Sequence, residues 1–150
     1  MPLAGLLQNE VLIAALAAWG SAQIMKVPVE YFRTRQLRWT WLLSTGGMPS
    51  SHAALIVGAA NAIGLYEGYD TAAFAVAIAI AMIVTYDAAG VRRQAGMHAE
   101  RINVLFDELL KGHIWSDEEL REVLGHSPVE VVGGIFWGLL ITSLVWWVWH

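Results

Sequence analysis

Four stretches of the chain are almost free of charge, and they decide what it can become. They run from Leu3 to Met25 (broken only by Asn9 and Glu10), Ala53 to Tyr66, Thr71 to Tyr86 and Val131 to Trp149. A helix crossing the hydrocarbon core of a bilayer needs about 20 apolar residues, within a range of about 17–25. The first and last stretches meet that length. The middle two reach it with their flanks, by tilting, or by thinning the bilayer. Both are rich in alanine, and small residues let helix backbones approach closely in lipid. Trp137, Trp146, Trp147 and Trp149 crowd the last stretch as an interfacial aromatic belt does. A soluble helical bundle would leave that Trp-rich end exposed as a large apolar patch. The start does not read as a signal peptide, because no basic region precedes it and Glu10 interrupts it.

Composition agrees with the membrane reading. Hydrophobic residues make up 57% and charged residues 15%, against about 45–50% and about 25% in average soluble domains. That excludes a disordered chain or a nucleic-acid-binding tail. There is no cysteine, so there is no disulfide framework, thiol nucleophile or thiolate metal site. At 150 residues with no repeat or low-complexity linker, the chain reads as one integral membrane domain, 1–150, all-α and polytopic, with about four spanning helices.

The nine Lys and Arg residues are unevenly placed. Lys26, Arg33, Arg35 and Arg38 follow the first stretch, and Arg92, Arg93, Arg101, Lys111 and Arg121 lie between the third and fourth. Four crossings put both basic loops on one side, which the positive-inside rule makes cytoplasmic. The N-terminus, the Glu67–Asp70 turn and the C-terminus then face outward, in an inner or plasma membrane.

The first basic loop, Val27 to Met48, carries Tyr31, Phe32, Leu37, Trp39, Trp41, Leu42 and Leu43, which suit a segment lying at the interface. Gly46-Gly47-Met48-Pro49 breaks the chain before Ser50 and Ser51, whose hydroxyls can cap the second helix. The second loop, Ala88 to Ser127, reads as a cytoplasmic helical insertion, with helices over Asn103–Lys111 and Ser116–Leu124. Ser116 and Glu119 fit a capping box, Gly125 ends that helix, and Pro128 suits the first turn of the last span.

A few polar residues at the span ends stand out. Pro49-Ser50-Ser51-His52 opens the second span, and N–H groups at a helix start bind anions. Capping explains the serines but not the imidazole of His52. Lys26 and Arg33 are seven apart; alone, each reads equally as a residue that snorkels to the membrane surface. Asp87 closes the third span just before Arg92 and Arg93, and an acid at that depth calls for a cationic partner. His126 and Glu130, four apart at the start of the last span, share a helix face. A carboxylate on one ring nitrogen fixes the tautomer and raises the basicity of the other, which is what a nucleophilic histidine needs. His113 and His150 lack such settings and read as surface residues. Neither a His-Glu-x-x-His helix nor a glycine-rich nucleotide loop is present.

Together these stretches resemble the type 2 phosphatidic acid phosphatase and vanadium haloperoxidase superfamily, chiefly its small divergent bacterial and plastid branch. Lys26 and Arg33 match its Lys-x6-Arg-Pro motif, with Thr34 for proline. Pro49, Ser50 and His52 match Pro-Ser-Gly-His, with Ser51 for glycine. Two placements of the third motif, Ser-Arg-x5-His-x3-Asp, compete. Arg92 and His98 fit its first half, with Val91 for serine and Ile102 at the aspartate position. Gly125-His126-Ser127-Pro128-Val129-Glu130 fits its end, with Glu130 for aspartate and the arginine supplied by Arg92 or Arg93. The second placement is preferred because its carboxylate is present. The resemblance is strongest from Lys26 to Gly134, above all in Gly46–His52 and Tyr86–Arg92.

The resemblance implies a metal-independent phosphatase without a cofactor, acting on a lipid phosphate; with the charge pattern, its expected place is the cytoplasmic leaflet. Lys26, Arg33, Ser50, Ser51, Arg92 and Arg93 would bind phosphate. His126, or alternatively His98, would be the nucleophile, His52 the general acid and Glu130 the orienting carboxylate. Asp87, paired with one of the arginines, reads equally as an orienting or a directly catalytic residue. Phosphatidylglycerophosphate, phosphatidate and polyprenyl phosphates are the candidate substrates. A membrane protein that binds or moves anionic lipids through the same pocket is the rival reading. The expected partners are membrane lipids and no nucleic acid; four short spans bury little, which favours a homodimer.

Overall fold

Each long helix begins where the sequence offers an oxygen to its first N–H groups. Asn9 Oδ1 accepts from the Leu12 N–H at 2.9 Å, Ser50 Oγ from Ala53 at 3.3 Å, Thr71 Oγ1 from Phe74 at 3.2 Å and Ser127 Oγ from Glu130 at 3.3 Å. These caps start α1 (Glu10–Thr34), α2 (Ser51–Glu67), α3 (Ala72–Ala89) and α4 (Pro128–Trp149), with a short 3-10 turn, Trp39–Leu43, between α1 and α2. The computed structural model describes residues 5–6, 8–44, 46–90, 97–98, 101–102, 105–106 and 127–150.

The bundle is built around α2. This helix packs against α1, α3 and α4 alike; α1 also touches α4, whereas α3 and α4 meet only lightly. Helices α1, α3 and α4 are long and apolar enough to cross a membrane. The fourth expected span, α2, has 17 residues, about 25 Å at 1.5 Å per residue, and falls short of the hydrocarbon core of about 30 Å. Its place among the other three helices limits what lipid can reach.

The interior is small and the exterior is large. The residues that α2 buries are Ser51, Ala53, Ala54, Gly58, Ala60, Ala62 and Gly64. The largest fully buried side chains of the bundle are Lys26, Thr142 and Ser50, all polar. Met82, Ile83, Phe136, Trp147 and Val148 lie outside. A bundle solvated by lipid gains nothing from hiding aliphatic chains, so close backbone contact and hydrogen bonds hold it instead.

The contact between α2 and α4 shows how close that approach is. Gly134, Gly138 and Thr142, four apart, form one stripe on α4. A β-carbon on Gly134 would run into the Ser50 carbonyl, and one on Gly138 would meet the Ala54 carbonyl at 2.6 Å. Toward the far end, Asn61 Nδ2 donates to Thr142 Oγ1 at 2.8 Å and to Ser143 Oγ at 3.2 Å, and the Tyr69 hydroxyl reaches Asn61 Oδ1 at 3.3 Å. Trp137 Nε1 donates to Ser21 Oγ at 3.0 Å, tying α4 to α1.

One boundary differs from the sequence expectation. Helix α1 does not stop near Met25 but runs through Pro28 to Thr34, ending with Arg35 in the left-handed region at φ 59. The expected loop from Val27 is therefore helical for its first two turns. Proline is tolerated inside a membrane helix because neighbouring helices and side chains re-satisfy the freed carbonyl. Of the insertion, the described residues 97–98, 101–102 and 105–106 are helical; the rest of the expected helix Asn103–Lys111, the second expected helix, Ser116–Leu124, and Gly125 lie outside the described residues.

Candidate active site

All four helices contribute to one end of the bundle. Ala53 of α2, Ala88 of α3 and Val131 of α4 pack into one buried cluster there, joined by Ala89 and Ile135. The Ser50 N–H donates to the Glu130 carbonyl at 3.0 Å, fastening the start of α2 to the first turn of α4. From α1, Lys26 Nζ donates to Ser51 Oγ at 3.3 Å and to the Ser44 carbonyl at 2.8 Å. Lys26 is only 1% exposed. Lys26, Ser50, Ser51 and Glu130 are thus brought together from three separate helices.

Lengthening α1 changes how its cations relate. Lys26, Glu30 and Arg33 fall four and three residues apart, so all three lie on one helix face. Lys26 and Glu30 are buried while Arg33 is exposed. Eight residues separate Lys26 from the end of α1, so the site sits back about 12 Å along the axis from that end. The chain must then fold back from Arg35 to reach Ser51.

That return segment is pinned from below. Gln23 Nε2 donates to the Leu42 carbonyl at 2.8 Å and the Ser44 carbonyl at 3.2 Å. Gly47 follows at φ 91, a conformation favouring glycine. Its missing side chain leaves room for the Trp41 ring, 3.5 Å from where a β-carbon would stand, with Lys26 Cδ at 3.9 Å. The Met48–Pro49 peptide is cis, and Met48 rests on Gly133 of α4. Sequence reasoning missed Gln23 and Glu30; the signal was their spacing from Lys26, three before and four after, which places them on its face.

The remaining residues divide. His52 is half-buried in the first turn of α2, with Nδ1 shielded from solvent. Asp87 is half-buried beside Ala88, which places it at the same end. His98 is helical and exposed. His126, Arg92 and Arg93 lie outside the described residues, although His126 directly precedes Ser127. The Glu130 carboxylate has a task of its own: Oε2 accepts from the Ser127 N–H at 3.1 Å, closing a capping box on α4. The first turn of α2 is partly spent as well, since the Ser50 N–H goes to Glu130 and the Ala53 N–H to Ser50 Oγ. The Ser51 N–H enters neither bond.

Residues 7–141 match the model of the Divergent PAP2 family. The chain is also 39% identical to the uncharacterized membrane protein YuiD of Bacillus subtilis (strain 168), over 93% of its own length and 96% of that protein. No solved structure matches it. The converging motifs and both matches agree: the chain is a membrane-spanning, phosphatase-like member of the Divergent PAP2 family.

Proposed function

We propose that the protein is a lipid-phosphate phosphatase that hydrolyses a phosphomonoester at the cytoplasmic leaflet. The observation that carries this reading is the fastening of Ser50 to Glu130 beside the Lys26–Ser51 hydrogen bond. It joins a phosphate-binding motif to the turn that follows His126. Lys26, Arg33, Ser51 and one or both of Arg92 and Arg93 neutralise charge on the phosphoryl oxygens, which is most of what this reaction asks of a protein. His126, oriented by Glu130, attacks phosphorus; a phosphorus–nitrogen bond forms as the ester bond to the lipid oxygen breaks. His52 gives its proton to the departing alkoxide. Water, deprotonated by His52, then displaces the histidine and releases inorganic phosphate. Asp87 orients the arginines, and His98 is the alternative nucleophile. Phosphatidylglycerophosphate, phosphatidate and polyprenyl phosphates are the substrates to try first.

The test is phosphate release from these lipids by purified protein in EDTA. His52→Ala and His126→Ala should each abolish it, and unchanged turnover in both overturns the mechanism. Activity lost in His98→Ala but kept in His126→Ala reassigns the nucleophile.

One observation favours a second reading, binding or movement of anionic lipids without turnover. Lys26 already donates to Ser44 and Ser51 and is closed off from solvent, leaving one of its three protons for a ligand. Lipid binding by a parent protein that releases no phosphate from any candidate would support it.

A further inference from the structure

From the end of α1 to α2 the chain forms a surface that shares only Arg33 with the proposed site. Helix α1 spans 25 residues, about 37 Å at 1.5 Å per residue, so it outruns a hydrocarbon core of about 30 Å. A helix entering the core near Glu10 therefore brings Arg33 to headgroup depth. The chain then folds back about 12 Å toward Ser51, along the side of the bundle and into the bilayer's own edge. What it exposes there is mixed. Leu37 is 57% exposed, Trp39 67% and Leu43 90%, and the cations Arg33, Arg35 and Arg38 are exposed among them. Glu30 is the only acid between Val11 and Tyr66, and it is buried. A water-facing loop has no reason to display that aliphatic and indole surface, and a purely lipid-facing one has no reason to display three guanidinium groups.

We infer that residues 33–43 form a strap that binds the headgroups of anionic phospholipids in the leaflet adjoining the site. Leu37, Trp39 and Leu43 enter the acyl boundary, while the arginines pair with lipid phosphates above them. Indole rings favour that depth, and cations at the surface are drawn to an anionic leaflet. The far end of the strap is the segment that Gln23 and Lys26 hold by the Leu42 and Ser44 carbonyls. A headgroup held on the strap therefore lies next to the candidate site. This inference rests on the membrane spans and not on turnover, so it stands or falls independently of the proposed phosphatase.

The test uses the full chain reconstituted in phosphatidylcholine vesicles with trace spin-labelled phosphatidylglycerol or spin-labelled phosphatidylcholine. The motionally restricted fraction of each lipid is read from its spectrum. The parent protein should restrict phosphatidylglycerol at least threefold more strongly than phosphatidylcholine. Arg35→Gln with Arg38→Gln should remove most of that preference, and Arg35→Lys with Arg38→Lys should keep it. Equal restriction of both lipids by the parent overturns the inference, as does an undiminished preference in the glutamine variant. The absence of cysteine allows a second arm: a spin label on Leu43→Cys should meet dissolved oxygen more readily than a water-soluble nickel chelate. The reverse order places the strap in water and overturns the inference by a separate route.

Discussion

At the scale of single residues, two adjacent glycines on α4 face different neighbours and should respond in opposite ways. A β-carbon at Gly134 meets the Ser50 backbone carbonyl, Ala53 and Ser50 Cβ, none of which can withdraw without parting α4 from α2. A β-carbon at Gly133 meets Met48 Cε at 3.0 Å, the free end of a flexible side chain that can swing aside. Alanine gains about 1 kcal/mol over glycine in a helix at either position. At Gly133 that gain should survive, so Gly133→Ala should melt at or above the parental temperature in detergent. At Gly134 overpacking of about 1–3 kcal/mol should exceed it. Gly134→Ala should melt lower and loosen the Ser50–Glu130 fastening at the site. Equal melting temperatures would mean that the two helices do not approach so closely. The chain displayed both glycines, but not which one faces the partner helix. That follows only from the register between α2 and α4, which the Ser50–Glu130 bond sets.

At the scale of elements, the helix starts were the most legible part of the fold. Ser50 and Pro128 marked the beginnings of α2 and α4, and both appear there in the structure. These signals are local, needing only an oxygen or a preset φ within one turn. The end of α1 was not legible, because Pro28 in water would have stopped the helix whereas the bundle carries it on to Thr34. The capping box of Ser127 and Glu130 was overlooked because the spacing of Glu130 from His126 suggested a pairing of those two instead. The two roles separate experimentally. A capping box accepts glutamine in place of glutamate, so Glu130→Gln should keep α4 and the fold, losing at most about 1 kcal/mol of dipole interaction. The neutral amide cannot stabilise a positively charged histidine, so turnover should fall about 100-fold or more. Ser127→Ala should do the opposite: it removes the cap, costs about 1 kcal/mol, and leaves the carboxylate to its charge partners with turnover near the parental rate. If both variants lose stability equally and activity equally, Glu130 acts on the site only through the helix it starts.

At the scale of the whole molecule, the charge pattern and the bundle geometry make one joint statement about orientation. The last third of α1, the start of α2, the end of α3 and the start of α4 meet around Lys26, Ala53, Ala88 and Glu130. The connections 35–50 and 90–127 therefore leave the bundle at the same end; they hold or border eight of the nine cations, and the ninth, Lys26, lies about two turns inside α1. The turn between α2 and α3 holds Glu67 and Asp70 and no cation. Convergence of the loops was legible because an even alternation of crossings demands it. The recess of the site was not, since it arises from the difference in length between α1 and α2. From the positive-inside rule we propose that the basic end is cytoplasmic. In a chain without cysteine, Gln36→Cys and Glu67→Cys each introduce a single exposed thiol at opposite ends of the bundle. A membrane-impermeant maleimide added to intact cells should modify Glu67→Cys and leave Gln36→Cys untouched until the membrane is opened. The reverse pattern would turn the site to the outer leaflet, where a phosphatase of this build would have to draw its lipid phosphates from the external face.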